Sequence, residues 1–151
     1  MSSDPNCVFC RIIAGQIPAA KVMDSKDAIA FLDINPVAPG HVLLVPKAHS
    51  ANISQSTADS IARAAAELPR LVSAIMHATG ASGLNIIQNN GRDAGQLIDH
   101  VHFHLIPRHT GDAFDIPWPK SRYEGDALGE MRTRLERAFQ AASGSVPANS
   151  I

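Results

Sequence analysis

The chain has 151 residues, 45% of them hydrophobic and 18% charged, with a formal net charge of -1 at pH 7. That length suits one domain with a real core, and that apolar content excludes wholesale disorder. The near-neutral balance gives no general reason to expect nucleic acid or an anionic membrane as a partner.

The polar start, Met1 to Asn6, has neither the basic opening nor the apolar stretch of a signal peptide. No apolar run approaches the ~20 residues that span a bilayer, so the chain reads as cytoplasmic. The expected organisation is one domain over 7–142, with flexible termini at 1–6 and 143–151. The only two cysteines are Cys7 and Cys10. In a reducing compartment such a close pair reads as metal-binding or redox-active rather than as a structural disulfide.

Val8, Phe9, Ile12 and Ile13 have the spacing of a helical turn or two, ended by Gly15. A short strand begins at Val22, a turn covers Asp24 to Asp27, and a second strand covers Ala28 to Asp33. The Pro36-Val37-Ala38-Pro39-Gly40 loop turns the chain into a third strand, His41 to Pro46. Its nearly continuous apolar run, Val42 to Val45, predicts a strand buried on both faces in the middle of a sheet.

The longest helical pattern runs from about Thr57 to Thr79. Ser56 or Thr57 caps it and Gly80 stops it. Pro69 inside it predicts a kink or a break. A fourth strand, Gly83 to Asn89, leads into a turn-rich loop, Asn89 to Gln96. A fifth strand spans His100 to Pro107, and a last helix spans Ala127 to Ala142. This order predicts an α+β domain: an antiparallel five-stranded sheet with a long helix and a C-terminal helix beside it.

The most informative segment is His100-Val101-His102-Phe103-His104-Leu105. On a strand, alternation sends Val101, Phe103 and Leu105 to one face and the three histidines to the other. Each two-residue step advances ~6.8 Å, which places the outer histidines ~13 Å apart, too far to share one metal easily. Split duty is then open: one imidazole acts on substrate while its neighbours position it or serve another site. The glycines of the preceding loop allow a close backbone approach to an anion, and its amides could cradle a phosphate.

This segment and its approach, Asn89 through Arg108, closely resemble the histidine triad family. Further blocks carry the same resemblance: Phe31-Leu32-Asp33-Ile34-Asn35-Pro36, Ala38-Pro39-Gly40-His41, Val45-Pro46-Lys47 with His49, Val8-Phe9, and Ile17-Pro18-Ala19. The resemblance implies a homodimeric nucleotide hydrolase that cleaves purine nucleoside 5'-phosphoramidates through a covalent nucleotidyl-histidine. The alternatives are a dinucleoside polyphosphate or adenylyl sulfate hydrolase of the same family, or a nucleotide-binding regulatory module with low turnover.

By that resemblance His102 is the nucleophile, His104 assists at the phosphate, and His41 supports from behind. Asp33 binds the ribose hydroxyls. Phe9, Ile12, Phe31 and Ile34 wall the base pocket. Asn89, Gly95, Gln96 and Leu97 line the phosphate side, with Leu97 standing where some relatives carry Ser or Thr. In zinc-containing members the ligands match Cys7, Cys10, His49 and His100, which implies one structural Zn2+ per chain. Trp118 lies where the C-terminal segment could reach a partner's active site. His77 and His109 match no motif.

Overall fold

A computed structural model of the protein describes residues 2–113 and 121–143. Trp118 and the tail after Ser143 lie outside them. The chain divides into two compact units, 1–114 and 115–151. In the second unit the described secondary structure is one helix, Ala127–Ser143, along which Leu128, Leu135 and Phe139 are exposed.

In the first unit the order is α1 (Val8–Ile13), β1 (Lys21–Asp24), β2 (Ala28–Leu32), β3 (Val42–Pro46), α2 (Ala58–Ala65), α3 (Leu68–Thr79), β4 (Gly83–Ile87) and β5 (Phe103–Arg108). Short 3₁₀ turns at Ile53–Gln55 and Arg92–Ala94 were not predicted. The strands form one antiparallel sheet in the order β1-β2-β3-β5-β4. The apolar run of β3 sits at its centre, with every residue buried, as a two-sided strand requires.

Alternation divides the core into two layers. Ala28, Ala30, Val42, Leu44, Val101, Phe103 and Leu105 pack on Ala64 of α2 and on Leu71 and Ile75 of α3. Ile29, Phe31, Leu43 and Val45 turn the other way, onto Cys7, Phe9, Cys10 and Ile12 around α1. The polar residues ahead of α1 are tied down: Ser2 Oγ donates to the His49 carbonyl at 2.8 Å, and the Cys7 amide donates to the Asp4 carbonyl at 3.1 Å.

Two elements differ from expectation. The long helix is broken into α2 and α3, and the break lies before Pro69 rather than at it. Proline falls in the first turn of α3, where its missing N–H costs nothing and its fixed φ suits the helix. The capping expectations hold at both ends. Thr57 Oγ1 accepts from the Ser60 amide at 3.2 Å, and Gly80 closes α3 at φ 66°.

The histidine strand starts three residues late, at Phe103. The β3–β5 register pairs Leu44 with Phe103, so continuing it would set Pro46 opposite Val101. Proline has no N–H to give a ladder. The chain bends instead: the His100 amide donates to the Ile98 carbonyl at 2.8 Å, and the Val101 amide to the Ser50 carbonyl at 2.9 Å.

Candidate active site

The bend divides the three histidines. His100 turns toward α1, where its Nδ1 lies 3.4 Å from Cys7 Sγ, 3.6 Å from Cys10 Sγ and 3.3 Å from His49 Nδ1. Cys10 Sγ lies 3.4 Å from His49 Nδ1. The His100 Nε2–H donates to the Pro46 carbonyl at 2.9 Å, so its Nδ1 is bare and faces the sulfurs. Burial holds the His100 imidazole neutral, pushing its pKa down to about 4, and also pushes the Cys7 thiol up. An anionic sulfur in this place needs a cation beside it.

Four potential ligand atoms thus lie within 4.8 Å of one another. The separations fit tetrahedral zinc: bonds of about 2.0 Å to nitrogen and about 2.3 Å to sulfur give edges of about 3.3 Å for N···N and about 3.5 Å for N···S. The cluster can hold a divalent metal with all four positions filled by protein, a closed arrangement that holds structure rather than activating water.

His102 and His104 turn instead into a cavity of about 780 Å³. Phe9, Ile12 and Phe31 form buried apolar wall, while Ile34 stands at the rim, 91% exposed. Asp33, His41, Asn89, Gly95 and Leu97 also line this cavity. Asp33 and His41 meet because the loop between them closes on itself: the Asp33 amide donates to the His41 carbonyl at 3.0 Å. Asp33 Oδ2 comes within 3.6 Å of His41 Nδ1, and Asp33 Oδ1 accepts from the Asn35 amide at 2.9 Å.

The hydrogen bonds assign the tautomers. The His102 Nδ1–H donates to the His100 carbonyl at 2.6 Å, which leaves Nε2 as a bare lone pair. The Val37 amide donates to His41 Nδ1 at 3.3 Å, so the proton of neutral His41 is on Nε2. That proton is donated to His104 Nδ1 at 2.9 Å, and His104 keeps its own proton on Nε2. Burial lowers the pKa of His41, against the pull of Asp33. Burial, with the neighbouring His102 and His41, pushes His104 down to about 4. The site therefore holds one bare nitrogen and one neutral N–H donor, on rings whose centroids are 4.9 Å apart.

Gln96 is placed elsewhere than at the wall. It is 2% exposed; its Oε1 accepts from the Gly91 amide at 2.7 Å, and its Nε2 donates to the carbonyls of Ala51 and Ile98 at 2.6 and 2.9 Å. The amides of Gly91, Ala94, Gly95 and Gln96 donate inside the loop. Those four form the 3₁₀ turn and its closure, and the Leu97 amide is not among them. Val37 and Ile98 line the cavity and were not predicted to do so. The position of Val37, four residues before His41, was the available signal.

The HIT domain family model matches residues 14–111. An adenosine 5'-monophosphoramidase HNT1 of Candida albicans is 36% identical over 141 residues, 90% of this chain and 93% of that one. An adenylylsulfatase HINT3 of Arabidopsis thaliana is 38% identical over 107 residues, 71% of this chain and 54% of that one. Among solved structures, SMU.412c of Streptococcus mutans superposes with a TM-score of 0.87 at 39% identity, covering 91% of this chain and 87% of that one. A Zn-bound histidine triad family protein of Mycobacterium smegmatis superposes with a TM-score of 0.70 at 32% identity, covering 88% and 97%. The chain belongs to the HIT domain family, the histidine triad proteins.

Proposed function

We propose that the protein is a nucleotide hydrolase that cleaves the phosphorus–nitrogen bond of purine nucleoside 5'-phosphoramidates, with His102 as nucleophile. The observation that carries this reading is the bare Nε2 of His102, fixed by the bond from Nδ1 to the His100 carbonyl and opening on an apolar cavity that also contains Asp33. Phe9, Ile12, Phe31 and Ile34 take the base, and Asp33 accepts from the ribose hydroxyls. Asn89, Gly95 and Leu97 border the phosphate. Gln96 holds that border in shape from behind.

His102 Nε2 attacks the α-phosphorus. A phosphorus–nitrogen bond to the imidazole forms as the bond to the leaving amine breaks, and the amine departs with a proton from solvent. The imidazole becomes cationic in this step, and its bond to the His100 carbonyl strengthens. The neutral Nε2–H of His104, oriented by His41, donates to a phosphate oxygen as charge builds there. Water then attacks the nucleotidyl-histidine, releases the nucleotide and returns the proton to solvent.

Cys7, Cys10, His49 and His100 would hold one Zn2+, supported by the edge lengths above and by the Zn-bound neighbour. The metal would supply a fixed, fully ligated node and take no part in the bond changes. A second copy of the chain is the proposed macromolecular partner. Static light scattering at micromolar concentration would then give twice the chain mass, and a single-chain mass would refute the dimer.

The deciding experiment assays wild type and His102→Ala against AMP amidate, adenylyl sulfate and a diadenosine polyphosphate. The variant is expected to fold, to bind AMP and to lose about 10³-fold or more in kcat on the amidate. Near-normal turnover by a folded His102→Ala protein would overturn the mechanism. Preference for one of the other two substrates would move the assignment within the family.

A further inference from the structure

His100 takes part in both sites. Its side chain belongs to the Cys7–Cys10–His49 cluster, and its main-chain carbonyl receives the proton that leaves the His102 Nε2 bare. That carbonyl is not held by the sheet, because β5 begins only at Phe103. Its position depends on the bend bonds from the His100 and Val101 amides and on the anchoring of the His100 ring, which is 0% exposed. The ring in turn is fixed at Nε2 by the Pro46 carbonyl and at Nδ1 only by the cluster.

A second route leads from the same cluster to the same imidazole. Cys7 and Cys10 bracket Phe9 at the start of α1. The Phe9 ring meets His102 edge to face, with centroids 5.2 Å apart, and meets Phe31 at 5.6 Å. The thiols therefore fix the ring that packs against the nucleophile.

We infer that the metal cluster is a positioning device for catalysis: when filled, it holds the His100 carbonyl and Phe9 where they set the tautomer and aim of His102. His100 and Phe9 act here as positioning residues. The inference rests on His102 being the nucleophile and extends that reading by making turnover depend on a metal that touches neither substrate nor the reacting atoms. An emptied cluster frees the His100 ring, loosens the carbonyl, and lets the His102 proton divide between its two nitrogens. Attack then slows because fewer molecules present a bare Nε2, while Asp33 and the rest of the nucleotide pocket stay in place.

His49 gives the cleanest test, since it belongs to the cluster and is not among the residues lining the cavity. His49→Ala would remove one ligand, and His49→Cys would replace it with another zinc ligand. Each is compared with the Zn2+-loaded wild type at one fixed pH by three measurements: bound zinc, the imidazole ¹⁵N signals of His102, and kcat and KM on AMP amidate. His49→Ala is expected to lose zinc, to move the two His102 ¹⁵N signals toward each other, and to lose at least tenfold in kcat with KM within about threefold. His49→Cys is expected to keep zinc, the wild-type tautomer and most of kcat.

A folded, zinc-free His49→Ala protein with wild-type His102 signals and kcat would overturn the inference. If that variant does not fold, wild type loaded with the larger Cd2+ replaces it. A shifted His102 Nδ1 signal with lower kcat supports positioning, and unchanged values refute it. Failure of the nucleophile reading shows separately, as turnover surviving in His102→Ala, whereas the ¹⁵N signals report the coupling whatever His102 does.

Discussion

At the residue scale, imidazole serves this protein because its two nitrogens can be given different tasks. In His102, His100 and His104, one nitrogen is committed to a fixed partner, and the proposed mechanism gives the other its task. The sequence shows that three histidines alternate, but it does not show which nitrogen of each is bare. Burial supplies a prediction. The folded pKa of His104 is about 4 against an ordinary 6.5, and that of His41 is lowered as well. Between those values the unfolded chain binds protons that the folded protein refuses, so stability is full above about pH 6.5 and falls as pH drops toward 4. Urea midpoints at pH 7.5, 5.5 and 4.5 are expected to fall in that order, with His104→Gln flattening the dependence. An NMR titration placing His104 near 6.5 would contradict this account.

At the element scale, the loops between strands make the site. The turn before β3 brings Asp33 and His41 together, and it passes α3 at Gly40. That glycine has φ 89°, and a Cβ added there would lie 2.5 Å from Thr79 Cγ2 at the end of α3. Gly40→Ala thus meets both a left-handed backbone and a steric clash. It is expected to cost about 1–3 kcal/mol in denaturant unfolding. It is also expected to weaken turnover, because the displaced turn carries the Val37 amide that sets His41. A Gly40→Ala protein as stable as wild type would show that the turn and α3 adjust freely. Strand existence was legible from the continuous apolar run of β3 and from the alternation in β5, but the start of β5 was not. That boundary depends on Pro46 facing it from another strand, which no local window contains.

At the scale of the whole first unit, the cysteine–histidine cluster joins residues far apart in the chain: Cys7 to His100 spans 93 positions. A metal bound there stabilises the folded state by mass action, by about 4 kcal/mol when free metal exceeds its dissociation constant a thousandfold. For a chain of this size that corresponds to a melting temperature higher by about 8–16 °C. Calorimetry of the protein before and after chelation, with recovery on adding Zn2+, measures the difference. Equal midpoints in loaded and stripped protein would remove the structural role proposed for the metal. Among the described residues no helix is long and apolar enough to cross a bilayer.

The sequence by itself determined the layers, because side-chain period is a local property: β3 is apolar without interruption and is central, and Val101 and Phe103 face the helices. Family blocks placed Asp33, His41, His102 and His104 in one neighbourhood, and the cavity contains all four. Only the tertiary structure decided how the histidines divide. His100 leaves the row because Pro46 cannot continue the ladder, and the bend turns its ring toward Cys7 and Cys10 while its carbonyl stays with His102. Only the tertiary structure separated Gln96, committed to the loop, from Leu97 on the wall. Glycine spacing permits a phosphate cradle, but hydrogen bonds inside the 3₁₀ turn had already taken those four amides. Which partner a donor finds depends on which chain segments meet in space, and local sequence does not contain that information.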